Sequence, residues 1–315
     1  MNKYLFLLLP FLILTFTSCT KSNIPYKFEY NNNDSIIVED FEFFETNIIN
    51  DFYFKNNVID TISFNATYNT DERGVILIEY NDSLYYNPVS ISQAAFKFIN
   101  SFYITNDSNY LRLSEVYAQK LISISEEFKE SILFPYTFEF TLHRYYEKMN
   151  PNWYSGMAQG QVVSLFCKLY SITNKDIYYH YAKKTINSYF LEYENPNTPW
   201  IGIVDTSNYL WIEEYPTYPA NFTLNGFLFS IVGAYDWYKI NKNNDTKGLL
   251  SALVTTAKYN IERFRVVGDI SYYCIKHKVQ SDNYHRIHKE QIEWLYLITK
   301  DEKFLEEFTF FDYDY

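Results

Sequence analysis

Ile104–Thr105–Asn106–Asp107, Ile172–Thr173–Asn174–Lys175, Ile240–Asn241–Lys242–Asn243 and Ile298–Thr299–Lys300–Asp301 are four versions of one polar turn. Asp and Asn in such turns accept hydrogen bonds from the first N–H groups of a following helix. On either side of the turns, apolar residues recur at helical spacing. That spacing predicts helices over 91–103, 110–124, 157–170, 177–190, 222–240, 249–264, 284–298 and 302–310. The turns begin at residues 104, 172, 240 and 298, a near-regular repeat that marks an array of helical hairpins. Each unit is longer than two helices and a turn require, which leaves about 25–35 residues for connectors. Long connectors on a rigid scaffold are where sites are built. The expected fold is mainly α: an α/α toroid or partial (α/α) barrel over 89–315, with connectors roofing one end. A tetratricopeptide-like solenoid repeats at about 34 residues with short turns, so the spacing argues against it.

Upstream, residues 28–88 are rich in β-branched and aromatic residues. Asn/Asp turns punctuate them at 31–34, 71–74 and Asn81–Asp82. This stretch reads as a small N-terminal antiparallel β-hairpin region. Residues 1–18 have the layout of a signal peptide: Lys3, then an apolar run over 4–17 broken by Pro10, too short for a comfortable membrane span. Small residues before Cys19 resemble a bacterial lipoprotein signal, in which that cysteine becomes the lipidated first residue. The alternative is an ordinary secretory signal with an incidental cysteine. Residues 19–27 read as a tether. The chain is thus expected to be exported and held by an N-terminal lipid on a bacterial membrane, facing periplasm or cell surface. Cys167 and Cys274 are too few for a disulfide framework and lack metal-ligand spacing; Cys167 reads as a small buried hydrophobe.

The 315 residues are 47% hydrophobic, which excludes disorder. With 27 basic and 38 acidic residues the net charge is −11, and a nucleic-acid binder would carry the opposite balance. An acidic polysaccharide would also be repelled unless the site gathers positive charge locally. The 33 tyrosines and 27 phenylalanines suit a surface that meets sugars, and they also fill cores.

Three connectors hold the unusual residues. The first, WYSGMAQGQ at 153–161, carries two of the eight glycines at a helix start. Glycine there lets a ligand approach backbone N–H groups, or lets helices pack closely. Gln159 and Gln161 offer donors and acceptors to a hydroxyl-rich ligand. Trp153 joins them as a substrate-binding candidate. The second, YLWIEEYPTYP at 209–219, sets Glu213 and Glu214 among aromatics and prolines and leads to Asn225–Gly226. A solvated glutamate pair at a loop edge is its plainer reading. The third, over 270–292, holds three of the five histidines with Lys276, Lys278, Arg286 and Lys289. It is the positive field an anionic sugar needs. His285 and His288 at i, i+3 suit zinc in spacing, but no third ligand is evident, and no metal is expected.

Taken together, WYSGMAQGQ, EEYPTYPANFTLNGF, the YCIKH of 273–277, NYHRIHKEQI of 283–292 and the upstream YYNPVSISQ of 85–93 resemble the glucuronyl C5-epimerases that act on heparosan and heparan sulfate. The resemblance covers roughly residues 85–308, in family order. It implies an α/α-barrel catalytic domain with Tyr215, Tyr273 and Tyr284 at the active site and Glu214 beside the first. Cys274 and Lys276 stand where the family's third string carries Asp and Arg, and Lys lacks the fork that grips a carboxylate. The animal members carry a β-barrel domain between the YYNPVSISQ-like segment and MAQGQ; 85–93 and 157–161 stand too close here to hold it, and it is expected to be absent from that place.

C5 of a hexuronate lies α to a carboxylate, so inversion needs a base on one face, an acid on the other, and neutralisation of the carboxylate. Two of the three tyrosines would be acid and base. Glu214 would orient a tyrosine or assist proton transfer. Lys276, helped by His277 and with Arg286 nearby, would neutralise the uronate, and Gln159, Gln161 and Asn225 would hold hydroxyls. No cofactor is implied, and a homodimer is left open. A uronate lyase begins with the same proton abstraction, and a non-catalytic glycan-binding lipoprotein also fits the altered third string. A glycoside hydrolase needs carboxylates across a cleft, whereas Glu213 and Glu214 are adjacent and point apart.

Overall fold

The computed structural model describes residues 30, 35–144 and 147–315. The signal peptide at 1–18, Cys19, the tether at 19–27 and the turn at 31–34 lie outside the described residues. In chain order come helix α1 (Thr61–Thr67), strands β1 (Ile78–Tyr80) and β2 (Ser83–Tyr85), then helices α2 (Pro88–Thr105) and α3 (Ser108–Ile124). Strands β3 (Glu126–Phe128), β4 (Ser131–Leu133), β5 (Phe140–Thr141) and β6 (Lys148–Met149) lead to α4 (Gly156–Thr173) and α5 (Asp176–Ile186). After β7 (Gly202–Val204) and β8 (Leu210–Ile212) follow α6 (Leu224–Ile240), α7 (Asn244–Asn260), α8 (Asp282–Thr299) and α9 (Glu302–Asp314).

The polar turns work as their residues dictate. Asn106, Asn174 and Lys300 take left-handed backbone (φ 57°, 53° and 54°) and end α2, α4 and α8. Asp107 and Asp301 then accept backbone N–H bonds at the starts of α3 and α9. At the third turn Asn243 and Thr246 form a reciprocal capping box, which starts α7 a turn earlier than apolar spacing alone indicates.

Each second helix packs on the first of its pair, and α2, α4, α6 and α8 pack in succession, so the hairpins form an arc with those four on the inside. This is the α/α toroid-like architecture expected. α6 is buried from Leu224 to Trp237, as suits a helix with neighbours all round. Two glycines set its distance from α4. A methyl group on Gly160 would lie 2.7 Å from the Phe229 carbonyl oxygen, and one on Gly233 would lie 2.6 Å from that of Gly160. Every inner helix begins where a connector ends, so the connectors gather at one end of the arc, where β3–β4, β5–β6 and β7–β8 form short antiparallel hairpins. Among the described residues no helix is long and apolar enough to cross a membrane.

Among the described residues, the small antiparallel β region expected in 28–88 comprises β1–β2 and a bridge between Thr70 and Ile76, and 61–67 is helical. The remainder is a strap across the arc. Phe52 meets Phe229 and Trp294 edge-on (5.5 and 5.8 Å), and Tyr53 stacks on Phe96 at 3.9 Å, so two aromatics of the strap fill the space between α2, α6 and α8. Burial against helices, not strand pairing, is what these aromatics are for. Acidic strap residues Glu39, Asp40 and Glu45 pair with Lys258, Lys247 and Lys242. Deeper in, Lys168 pairs with Asp51 and lies 3.5 Å from the buried Asp236, which Lys239 also contacts at 2.8 Å.

Removing Lys168 from this buried set leaves Asp51 and Asp236 to share Lys239 alone. Lys168→Met is therefore expected to lower unfolding free energy by about 3 kcal/mol in a urea titration; a loss below about 0.5 kcal/mol would mean the network is not structural.

Candidate active site

The connector between β8 and α6 carries Glu213, Glu214 and Tyr215. Glu213 is buried and accepts N–H bonds from Asn221 (3.2 Å) and Phe222 (3.0 Å), which folds the connector back on itself. Burial pushes its carboxyl up to about 8, against those two donors. Its backbone carbonyl accepts from Gly156 N–H at 2.8 Å, and a methyl group on Gly156 would lie 2.5 Å from that oxygen. The glycines of WYSGMAQGQ thus serve close packing rather than ligand approach.

Glu214 points the other way, into the first turn of α6, where the helix dipole favours negative charge. A methyl group on Gly226 would lie 2.4 Å from its Oε2, so only glycine leaves room for the carboxylate. Tyr273 OH donates to Glu214 Oε1 at 3.2 Å, and the hydroxyls of Tyr215 and Tyr273 are 3.1 Å apart. Tyr273 reaches this place because its loop is pinned to the start of α6: Leu224 N–H donates to Tyr273 carbonyl oxygen at 3.0 Å, and Thr223 bridges Cys274. Tyr284, in the first turn of α8, lays its ring 4.4 Å from that of Tyr273. Three tyrosines distant in sequence therefore meet around one buried glutamate.

Burial dominates the electrostatics. It pushes Glu214 up to about 7, partly offset by Tyr215, Tyr273, Asn225 and the Gly226 N–H. The phenols of Tyr215 and Tyr273 are held well above the usual tyrosine range by burial and then by the Glu214 charge; Tyr284 is raised for the same two reasons. The field at the phenols is negative, contrary to the cationic one expected from the third connector.

That connector's charges go elsewhere. Lys276 pairs with Glu147 and donates to Pro219 carbonyl oxygen at 2.9 Å, and His277 Nε2 lies 3.1 Å from Glu147 Oε2. Arg286 is exposed, two residues beyond Tyr284 and so on the opposite side of α8. Gln159 is enclosed, with its oxygen accepting from Phe134 N–H (3.1 Å) and its nitrogen donating to Ile132 (2.8 Å) and Ser188 (2.9 Å). Gln161 is buried in α4. Neither glutamine is placed to meet a sugar. Asn225 is buried beside Glu214. His285 and His288 both turn to Ser271, at 2.9 and 2.8 Å, as core histidines.

Trp153 links the tyrosines to a cleft. Its ring is 6.0 Å from Tyr215 and stacks on Tyr136 at 4.0 Å, while its indole N–H donates to Phe138 carbonyl oxygen. The cleft, about 670 Å³, is lined by Trp153 with Tyr154, Tyr193, Trp200, Tyr218 and Glu147 among others. His143 and Glu147 are the residues that sequence reasoning missed. His143 packs edge-on to Tyr273 at 5.5 Å. Its partners Cys274 and His277 lie more than a hundred positions away, and no spacing rule spans that gap.

The sequence profile of the D-glucuronyl C5-epimerase C-terminus family matches residues 127–311. The chain belongs to this family. All four converging residues of this family member fall inside the matched span. The D-glucuronyl C5-epimerase of Caenorhabditis elegans is 28% identical over 171 residues, which is 48% of this chain and 27% of the worm protein. The chain thus spans about a quarter of that relative's length. An uncharacterized protein of Methanocaldococcus jannaschii is 25% identical over 271 residues, 80% of this chain and 84% of its own. Among solved structures, cellobiose 2-epimerase from Bacillus thermoamylovorans B4167 superposes with a TM-score of 0.52 at 12% identity, over 80% of this chain and 68% of that one. The likeness is one of fold, and membership relates the chain to carbohydrate-active epimerases.

Glu214 should titrate by carboxyl-carbon NMR near 7. In Tyr273→Phe, which removes a donor to the ionised form, its pKa should rise further. A fall, or a parent value in the ordinary range near 4.5, would contradict the buried arrangement.

Proposed function

We propose that the chain inverts C5 of a hexuronate residue, glucuronate foremost, within an acidic polysaccharide. The observation that carries this reading is the chain of contacts from Tyr215 through Tyr273 to Glu214, with Tyr284 against it. Family membership supports it, and the aromatic cleft beside Trp153 offers the kind of surface on which sugar rings stack.

Phenols raised this far are neutral at rest, so a tyrosine becomes a base only as its own proton leaves. Glu214 is the acceptor: near 7 it is partly ionised at neutral pH and basic enough to take a proton through Tyr273. In this mechanism Tyr215 takes the C5 proton while its phenolic proton passes through Tyr273 to Glu214. Tyr284 delivers a proton to the opposite face and is replenished from solvent, and Glu214 gives its proton up to solvent to close the cycle. No redox step is involved, because the proton leaves and returns at one carbon. An exported, lipid-anchored location, which rests on residues 1–19 alone, fits a polymer outside the cytoplasm.

The test is incubation with uronate-containing polysaccharides in heavy water. Deuterium at C5 is expected, with Tyr215→Phe, Tyr273→Phe and Tyr284→Phe each slower by about 100-fold or more. The parent rate should climb as pH rises through about 7, because Glu214 accepts only when ionised, and Glu214→Gln should lose that limb. No deuterium across a broad panel of uronans would reject the proposal. An unsaturated-uronate chromophore in place of exchange would assign the site to elimination.

A further inference from the structure

We propose that His143, Cys274 and His277 form a binding site for a zinc-class divalent cation beside the tyrosines. Cys274 Sγ lies 3.5 Å from His143 Nε2 and 3.6 Å from His277 Nδ1, and the three ligand atoms all fall within 4.8 Å of one another. With Zn–S near 2.3 Å and Zn–N near 2.0–2.1 Å, a tetrahedral S···N edge is about 3.5 Å. The two observed separations have that length without any movement of the side chains.

Two further features agree. The other nitrogen of His277 faces Glu147 Oε2 at 3.1 Å, the carboxylate–histidine pairing that fixes a metal-binding imidazole. His143 sits in left-handed backbone (φ 52°, ψ 25°) that interrupts the 3-10 turn Leu142–Arg144, a conformation uncommon for a side-chain-bearing residue. The surroundings are partly enclosed: Cys274 is buried and both histidines are half-buried. On binding, the cysteine enters as thiolate and its proton goes to solvent.

Three protein ligands leave one position for water or a substrate oxygen, the pattern of zinc sites that act on ligands. His143 packs on Tyr273, so that position neighbours the phenol cluster. Lys276 is engaged by Glu147, and the ion supplies the counter-charge for the uronate carboxylate. This role rests on the uronate reading; the existence of the site does not.

The purified full chain is titrated with cobalt(II) and followed by absorption, with circular dichroism to confirm folding. One cobalt per chain is expected, with a thiolate-to-cobalt charge-transfer band that zinc displaces. Cys274→Ser should lose the band and His143→Ala should weaken binding by about 100-fold or more. Glu147→Gln should weaken it about 10- to 100-fold. Absence of the band in the parent overturns the site whether or not any variant folds, as does stoichiometric binding retained by both ligand variants. C5 exchange measured with and without zinc separates the two readings. A zinc-bound chain that exchanges nothing keeps the site and loses the uronate role; a chain that exchanges but binds no metal loses the site alone.

Discussion

A carboxylate removed from water and surrounded by phenols is the constraint on which the rest of this molecule depends. Glu214 is unfavourable where it lies: burial alone drives it towards the neutral form. The fold makes the position tolerable by aiming the N-terminus of α6 at it, clearing space with Gly226 and bringing Tyr273 within hydrogen-bonding reach. The result is a proton acceptor poised near neutrality, next to hydroxyls that are themselves hard to ionise. Opposed tendencies of this kind, in groups that touch, are what acid/base chemistry requires.

The scaffold is organised to hold that arrangement. Inner helices begin at the connector end, so the first turns of α4, α6 and α8 converge there. Gly156 locks the α4 start onto the Glu213 backbone, Glu213 clamps the connector, and the 272–280 loop is tied to the α6 start. Close glycine contact between α4 and α6 fixes the distance between two of those starts. The strap of residues 35–55 fills the opposite need, supplying Phe52 and Tyr53 to a space the helices leave open.

Local physics was legible in the primary structure, and distant physics was not. The polar turns announce themselves because capping is a matter of four or five residues, and apart from the earlier start of α7 the helices fall close to where the apolar spacing put them. Composition located the small N-terminal β region but not its extent, since alternating aromatics look alike whether they pair or pack on helices. Tyr215, Tyr273 and Tyr284 were found through whole strings that resemble a family, not through any spacing of their own. Gln159 shows the limit of residue type: an amide suits a sugar and a backbone equally, and here the backbone has it. Arg286 was avoidable, because a residue two positions from Tyr284 on a helix must face away from it. The His143–Cys274–His277 cluster was invisible as a set: Cys274 and His277 share one loop, but His143 comes from another connector more than a hundred positions away.

If Glu214 and Tyr273 act as one proton path, breaking either link should disable it. The most direct measurement is a double-mutant cycle on the rate of C5 deuterium exchange, using Glu214→Gln, Tyr273→Phe and the two combined. The account predicts strong non-additivity, with the double variant no slower than the slower single variant. Losses that multiply independently would show that the two residues do not share a path, and would contradict the mechanism at its centre.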